Sequence, residues 1–594
     1  MVIFTYFLRF LPIIALIFYS ISSSDYTSVT TNFNNEYNDS ELNKTQEEFE
    51  VYIDKKFNDY YGKCYFDMYI VNDYEKYNLD KPSTNLLDCF KTSDYYKDMY
   101  HDLYENYDYD SLDENHKFIY DSLIYVSNLY NTSEHYEDSF YSNFNVDNGN
   151  IYSINTTFEL VKFDNESEIN DYLIVLDQFN LMFDYFFEEE RTKAKTGIYL
   201  QNQTLDYVSN ELERFIDINA NGYVITFDER IDAIEFLDDK QKQDYKEKNK
   251  DIVTTKVIPS YINAIDLIDE LKGSSDYTGG IINYPNGKEY YEFLFSMKGS
   301  TSINPEEFSE MLFEEIQLMN YESVQYYYEL EDEYLSDFMT IYDEKNPVNT
   351  VELLFDNYKQ YFPTIDKVDY SIDYLHPSIT DPNVLGYYME MPYDNINNNQ
   401  MMLNKLAIDN DPLSGYNTIA HEAIPGHMYQ YVYNNMKNIH PITKLSNSIG
   451  ITEGWAVYSS YLAYDFIDFE NEALKQIQIL QEKVGYANAA YADIAINYLG
   501  YTQEDLENKF LEIYSEEYAE TLAEHFYNSS INMPGTILPY AVGRYYMDLL
   551  HDCAQEKLQE DFDYHTFHKA ILDSPFSTFE QMILNIEEDL DIEF

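Results

Sequence analysis

Apolar side chains recur at three- and four-residue spacing along most of this chain, the period of one helical face. From about Glu47, the series Phe49, Tyr52, Ile53 and then Phe57, Tyr60, Tyr61 keeps that spacing. The same period predicts helices over Ser111 to Leu129, Glu168 to Glu190, Asn202 to Ile216 and Ile231 to Asp251, with a loop at Thr226 to Glu229 before the last. Ser111 and Glu114 stand at capping-box spacing. Asn304-Pro305-Glu306-Glu307 is a helix start: Asn caps, Pro fits the first turn, and the acids meet the positive end of the helix dipole. That helix runs toward Tyr327, and another leads to Tyr361. Further on, Ser414 to Thr418 opens a helix, and Asn447 to Thr452 leads into one carrying Glu453. A long helix spans Asn471 to Tyr498 and stops at Gly500, and Thr502 starts the next. Leu385 to Met391 reads instead as a short extended run ending at Pro392. The predicted class is mainly α, a large multi-helix fold with a minor short β-sheet.

The ends and breaks suggest an organisation. Val2 to Tyr19 is nearly all apolar, with Arg9 its one charge, and Ser20 to Ser24 supplies small residues. Residues 1–24 are read as a cleaved signal peptide, with an uncleaved N-terminal anchor as the alternative. The polar stretch 25–46 reads as a flexible linker. Gly, Ser, Asn and Pro cluster between Gly273 and Asn286, so a boundary is placed between an N-terminal helical region, 47–275, and a second region, 276–594. No later segment has the length and apolarity of a membrane span, so none is expected after signal removal.

Composition narrows the functional classes. The chain carries 108 Asp plus Glu against 37 Lys plus Arg, and a field of that sign repels nucleic-acid phosphates. For a eukaryotic source, acceptor sequons at Asn38, Asn43, Asn131, Asn155, Asn165, Asn202 and Asn528 agree with export of a glycoprotein, though a chain this rich in Asn, Ser and Thr yields several by chance. Cys64, Cys89 and Cys553 are the three cysteines; a Cys64–Cys89 disulfide would suit an oxidising compartment and leave Cys553 unpaired. The many tyrosines stand where other proteins place Leu and are read as packing.

The chemistry concentrates in His421-Glu422-Ala423-Ile424-Pro425-Gly426-His427, followed by Thr452-Glu453-Gly454-Trp455-Ala456. Neutral imidazoles and a carboxylate are zinc ligands, and a glutamate beside the first histidine is placed to act as general base toward a metal-activated water. The pattern departs from His-Glu-x-x-His, since Pro425 stands where the second histidine would fall. Six steps along a regular helix leave two side chains roughly 120° apart. His421 and His427 therefore share a metal only if the helix deforms between them, which Pro425 and Gly426 favour. The alternative is a buried helix with two ordinary polar histidines. Trp455 is expected to pack the Glu453 helix against the first motif.

These motifs resemble the family catalogued as domain of unknown function 885 (DUF885), regarded as related to gluzincin-type zinc peptidases. Gly287-Lys288-Glu289-Tyr290-Tyr291 with Thr301, Pro534-Gly535 with Tyr540 and Gly543, and Phe562-Asp563 through Phe567-His568 to Ile571-Leu572 extend the likeness over roughly residues 280 to 594. The resemblance implies a helical metallopeptidase-like fold with a deep cleft. It implies zinc on His421, His427 and Glu453, Glu422 as the base, and Tyr540 as a hydroxyl for the developing oxyanion. It also suggests that the 385–391 run, with Tyr388, binds substrate backbone as an edge strand, with an ordinary buried strand or loop as the alternative. Arg544 is a candidate for gripping a substrate carboxylate, with a structural ion pair as the alternative. Asp493 is a candidate for orienting a ligand histidine. Two departures stand out: Asn497 replaces a histidine of the family, and Met428 another. The expectation is an exported zinc metallopeptidase hydrolysing oligopeptides. Its alternatives are an inactive zinc-binding surface protein on the same scaffold, or a zinc hydrolase of another amide or ester.

Overall fold

Side-chain caps set several of the helix starts. The computed structural model describes residues 46–594 apart from 72, 78, 91–95, 97, 147–148, 331–340, 377–383, 438, 447, 470 and 575–577. The predicted signal peptide, and the linker but for its last residue, lie outside the described residues. Asn304 accepts from the Glu306 amide at 2.9 Å and opens α1, Pro305–Glu329. Three short strands follow: β1, Tyr370–Tyr374; β2, Gly386–Met389; and β3, Asn399–Leu403. Then come α2, Pro412–Glu422, capped by Asp411; α3, His427–Met436; and α4, Ile449–Ala463. Asn471 caps α5, Glu472–Asn497, and α6 spans Leu538–Leu558. Thr502 and Asp505 form a reciprocal capping box on the helix after α5.

Some sequence expectations are corrected. Thr226 to Glu229 is not a loop but lies inside the helix Gly222–Ala233, which Asn221 caps; Phe227 is fully buried on its inner face. The Glu168 to Glu190 stretch is two helices, Glu166–Leu176 and Phe179–Ala194. Ser111 closes a short turn, and Asp113 caps the helix Glu114–Phe140. The Asn155 sequon cannot accept a glycan in the folded state: Asn155 is buried and takes hydrogen bonds from Tyr223 and Tyr261.

The fold is mainly α with a minor sheet. Among the described residues three large apolar cores hold it, beside a small one at Leu375 and Met402. One draws on residues from Ile281 to Ile586 and surrounds α1 to α6. A second gathers Tyr65 to Leu271, and a third joins Phe49 through Leu123 to Ile442. A Cys64–Cys89 disulfide is present, and Cys553 is buried and free. No helix among the described residues is long and apolar enough to cross a membrane.

Two features position the later chemistry. In the sheet, ordered β1-β3-β2, β3 pairs parallel with β1 and antiparallel with β2, leaving β2 on an edge beside α2. The other feature is the crossing of α4 and α6. A Cβ on Gly454 would fall 2.5 Å from the Gly543 Cα, and one on Gly543 would fall 2.7 Å from the Gly454 Cα. Both helices meet backbone on backbone there, and only glycine allows that approach.

Candidate metal centre

The motif helix ends where the sequence predicts that it deforms. After Glu422 the backbone leaves helical geometry at Ala423 and resumes at His427. The Gly426 amide reaches back to the Ala420 carbonyl at 3.0 Å and the Tyr429 amide to that of Ala423 at 3.0 Å, so the break keeps these backbone bonds. Gly426 is required by close approach: a Cβ there would lie 2.7 Å from the Ala420 carbonyl oxygen and nearer still to that of His421. Trp455, fully buried, donates its indole N–H to the Pro425 carbonyl at 3.0 Å and packs on Tyr429 and Phe362. The one tryptophan thus locks the break from α4, the packing role expected of it.

The break turns the two imidazoles toward each other. Their ring centroids are 4.7 Å apart, edge to face. His421 Nε2 lies 3.3 Å and His427 Nε2 3.4 Å from Glu453 Oε2, and one ligand atom from each residue falls within 4.8 Å of the others. Two ligands each about 2.0–2.1 Å from a tetrahedral zinc lie about 3.3–3.4 Å apart, so the donor separations fit that ion. Glu453 Oε2 is buried and, despite both rings nearby, has no well-formed hydrogen bond among the described residues. A carboxylate oxygen facing two imidazole nitrogens is a donor set that could hold a metal ion. Burial alone would raise the Glu453 carboxyl, but His427 and His421 outweigh it and hold the group below the usual carboxylate range.

Glu422 stands beside this cluster and outside it. Its Oε1 is 4.0 Å from His421 Nε2. Burial pushes its carboxyl up to about 7; His421 opposes that, Glu453 adds to it, and a hydrogen bond from the Tyr388 backbone opposes it. That last bond follows from strand register. The Asn404 amide bonds the Leu385 carbonyl at 2.8 Å, and alternation along an antiparallel pair then turns the Gly386 and Tyr388 backbone groups away from β3. The edge strand therefore meets the carboxylate beside the donor cluster. The Tyr388 side chain is committed elsewhere, its hydroxyl donating to Asn399 at 2.7 Å.

Tyr540 lies on α6 one turn before Gly543, and the glycine crossing brings it against the site, its ring stacked on His421 at 6.3 Å. Tyr486 also stacks on Tyr540, at 6.0 Å. Tyr486, from α5, lies within electrostatic reach of Glu453 and Glu422. Sequence reasoning missed it, for it carries no motif and is one of 65 tyrosines.

The remaining candidates sit apart from the donor atoms. Arg544 is fully buried, and its guanidinium is bound by both oxygens of Glu315, one at 2.8 Å, and by Asp548 at 3.1 Å. These partners form the structural ion pair rather than a grip left open for a substrate. Asp493 accepts from the Tyr291 hydroxyl and from the Gly535 amide at 2.9 Å rather than from a ligand histidine. It anchors the turn that leads into α6, and burial raises its carboxyl to about 6. Asn497 bridges the Ile281 amide and the Ser530 carbonyl, each at 3.1 Å, and Met428 is a fully buried core residue.

Comparison with known proteins gives the fold relatives and a family. No curated protein matches the chain. The fold is similar to that of a candidate lipoprotein of Colwellia psychrerythraea, with TM-score 0.75, 18% identity, and coverage of 92% of this chain and 99% of that one. It is also similar to a candidate lipoprotein of unknown function from Shewanella oneidensis, with TM-score 0.58, 14% identity, and coverage of 90% and 98%. The model of the family described as bacterial protein of unknown function, DUF885, matches residues 83–575, reaching far upstream of the motif at Gly287, and the chain belongs to that family.

Proposed function

We propose that this protein is an exported zinc-dependent peptidase that hydrolyses peptide bonds of oligopeptides. The observation that carries the reading is the convergence of His421, His427 and Glu453 on one point, with Glu422 flanking it. Those three residues would hold the ion. Bound zinc would polarise the scissile carbonyl and make water a stronger acid. Glu422 takes a proton at a carboxylate oxygen and passes it to the leaving amine, a role suited to a carboxyl raised to about 7. The Tyr540 hydroxyl donates to the oxyanion. The outward groups of β2 receive the substrate backbone as an added strand, which puts the scissile bond beside Glu422. Export is supported by the Cys64–Cys89 disulfide. Both fold relatives are described as candidate lipoproteins, which agrees with a place outside the cytoplasm.

The test is zinc content of wild type and Glu422→Gln, with both assayed on a mixed peptide library. About one zinc in each, with cleavage by wild type alone, is expected. Zinc in both without cleavage favours a binding protein on the same scaffold. Absence of zinc from both refutes the reading.

A further inference from the structure

The rings of His421, Tyr540 and Tyr486 form a series that joins α2, α6 and α5. The Tyr540 ring is 6.3 Å from that of His421 and tilted 23° from it, and the Tyr486 ring is 6.0 Å from that of Tyr540 and tilted 6°. Tyr486 is half-buried, whereas its neighbour Ala487, and Ala490 one turn on, are fully buried. The series therefore ends on a ring that stays in touch with solvent, as the wall of a cleft does.

The Tyr486 hydroxyl makes no hydrogen bond with any of the described residues. Glu482, one turn back on α5, already accepts from the Tyr464 hydroxyl at 2.6 Å on one oxygen and from Asn417 on the other. Arg544, whose charge also reaches Tyr486, is taken by Glu315 and Asp548. The other acids whose charge reaches the hydroxyl are Glu453, of the donor cluster, and Glu422, the flanking base. A group in reach of both lies near the place where a peptide carbonyl would be attacked. That place is crowded with carboxylates, which repel negative charge developing on the carbonyl oxygen. A neutral O–H donor offsets the repulsion without adding charge, and a donor fixed on a helix before the substrate arrives needs no reorganisation to do it.

We propose that the Tyr486 hydroxyl is a second donor to the oxyanion, acting beside that of Tyr540 on the same substrate oxygen, which makes Tyr486 a catalytic residue. It donates a hydrogen bond and keeps its proton. The inference rests on the peptidase reading, because an oxyanion forms only if a carbonyl is attacked at this site. A role limited to supporting the Tyr540 ring by stacking would need the Tyr486 ring and not its hydroxyl.

The experiment is equilibrium binding to the full, zinc-loaded chain carrying Glu422→Gln, with and without Tyr486→Phe, which keeps the stacked ring and removes the hydroxyl. The probes are one oligopeptide with an ordinary amide and its phosphinic counterpart, whose tetrahedral phosphorus holds a charged oxygen where the oxyanion forms. Tyr486→Phe is expected to weaken the phosphinic peptide roughly tenfold or more and to leave the amide peptide within about twofold. The same loss is expected in a Tyr540→Phe background, with about one zinc retained in each variant. Phosphinic binding that is equal with and without the hydroxyl, an equal loss for both probes, binding of neither, loss of zinc from Tyr486→Phe, or an effect that vanishes in the Tyr540→Phe background overturns the proposal. Cleavage by wild type with phosphinic binding untouched by Tyr486→Phe leaves the peptidase reading standing and removes Tyr486 from it. No cleavage by wild type with hydroxyl-dependent phosphinic binding marks failure of the peptidase reading while the donor role stands.

Discussion

Gly426→Ala puts the candidate metal centre under the most direct strain. An added Cβ would lie 2.7 Å from the Ala420 carbonyl oxygen and nearer to that of His421, where Cβ atoms essentially never come within 3.0 Å. Ordinary contact begins at 3.4 Å, so the Ala420 carbonyl must recede by about 0.7 Å and the His421 backbone by more. Neither carbonyl is the end of a flexible side chain, so the shift passes into the backbone that carries the first histidine. Zinc tolerates ligand displacements of about 0.2 Å. Overpacking of this kind costs roughly 1–3 kcal/mol. Disturbing a group that orients a ligand weakens metal binding roughly 10–100-fold. The assay is chelator competition for zinc, with urea unfolding of the metal-free protein. Gly485→Ala is the control: Gly485 is exposed on α5, with no atom within 4 Å of an added Cβ. It should gain about 0.5–1 kcal/mol of stability and leave zinc affinity unchanged. Zinc binding by Gly426→Ala within about twofold of wild type would refute the placement of His421 as a ligand held by this break.

Two other expectations address the core. Arg544→Met should destabilise by about 3–5 kcal/mol, because it strands Glu315 without its partner, while the KM for peptides with a free C-terminal carboxylate stays as in wild type; urea unfolding and steady-state kinetics separate the two, and a raised KM would restore a substrate role. His568 is fully buried between the Tyr361 carbonyl at 2.8 Å and the Tyr458 hydroxyl at 2.9 Å, and burial pulls its pKa down to about 3. The unfolded chain takes up that proton near pH 6.5 and the folded one only near 3, so this contribution to stability is whole above 6.5 and is lost as pH falls below it. The stability gap between wild type and His568→Gln should therefore shrink by about 2 kcal/mol from pH 7 to pH 5 in urea titrations.

Local chemistry was legible at several helix starts, though not at Ser111, where Asp113 is the cap. Asn304, Asn471 and Thr502 cap the helices that follow because a short oxygen-bearing side chain finds a free amide two or three residues on. The extended run before Pro392 is real and lies on a sheet edge. β1 and β3 carry no such signal; β3, Asn399–Leu403, contains no β-branched residue to separate it from a helix. The loop placed at Thr226 failed because Asn221, the actual cap, lies upstream of it.

The sequence by itself determined the residue types of the site: two histidines and a later glutamate, a glutamate beside the first, and a Pro-Gly pair where a regular helix would part the imidazoles. It also held the glycines at 454 and 543 without saying that they touch. Tertiary structure decided the rest. The crossing at those glycines sets Tyr540 on His421, the edge strand brings the Tyr388 amide to Glu422, and Arg544 is spent on Glu315 and Asp548. Apart from Arg544 and Asp548, which are one turn apart on α6, each joins residues tens to hundreds of positions apart. Spacing along a chain carries only local periodicity, and which distant faces meet is settled by how the apolar core closes.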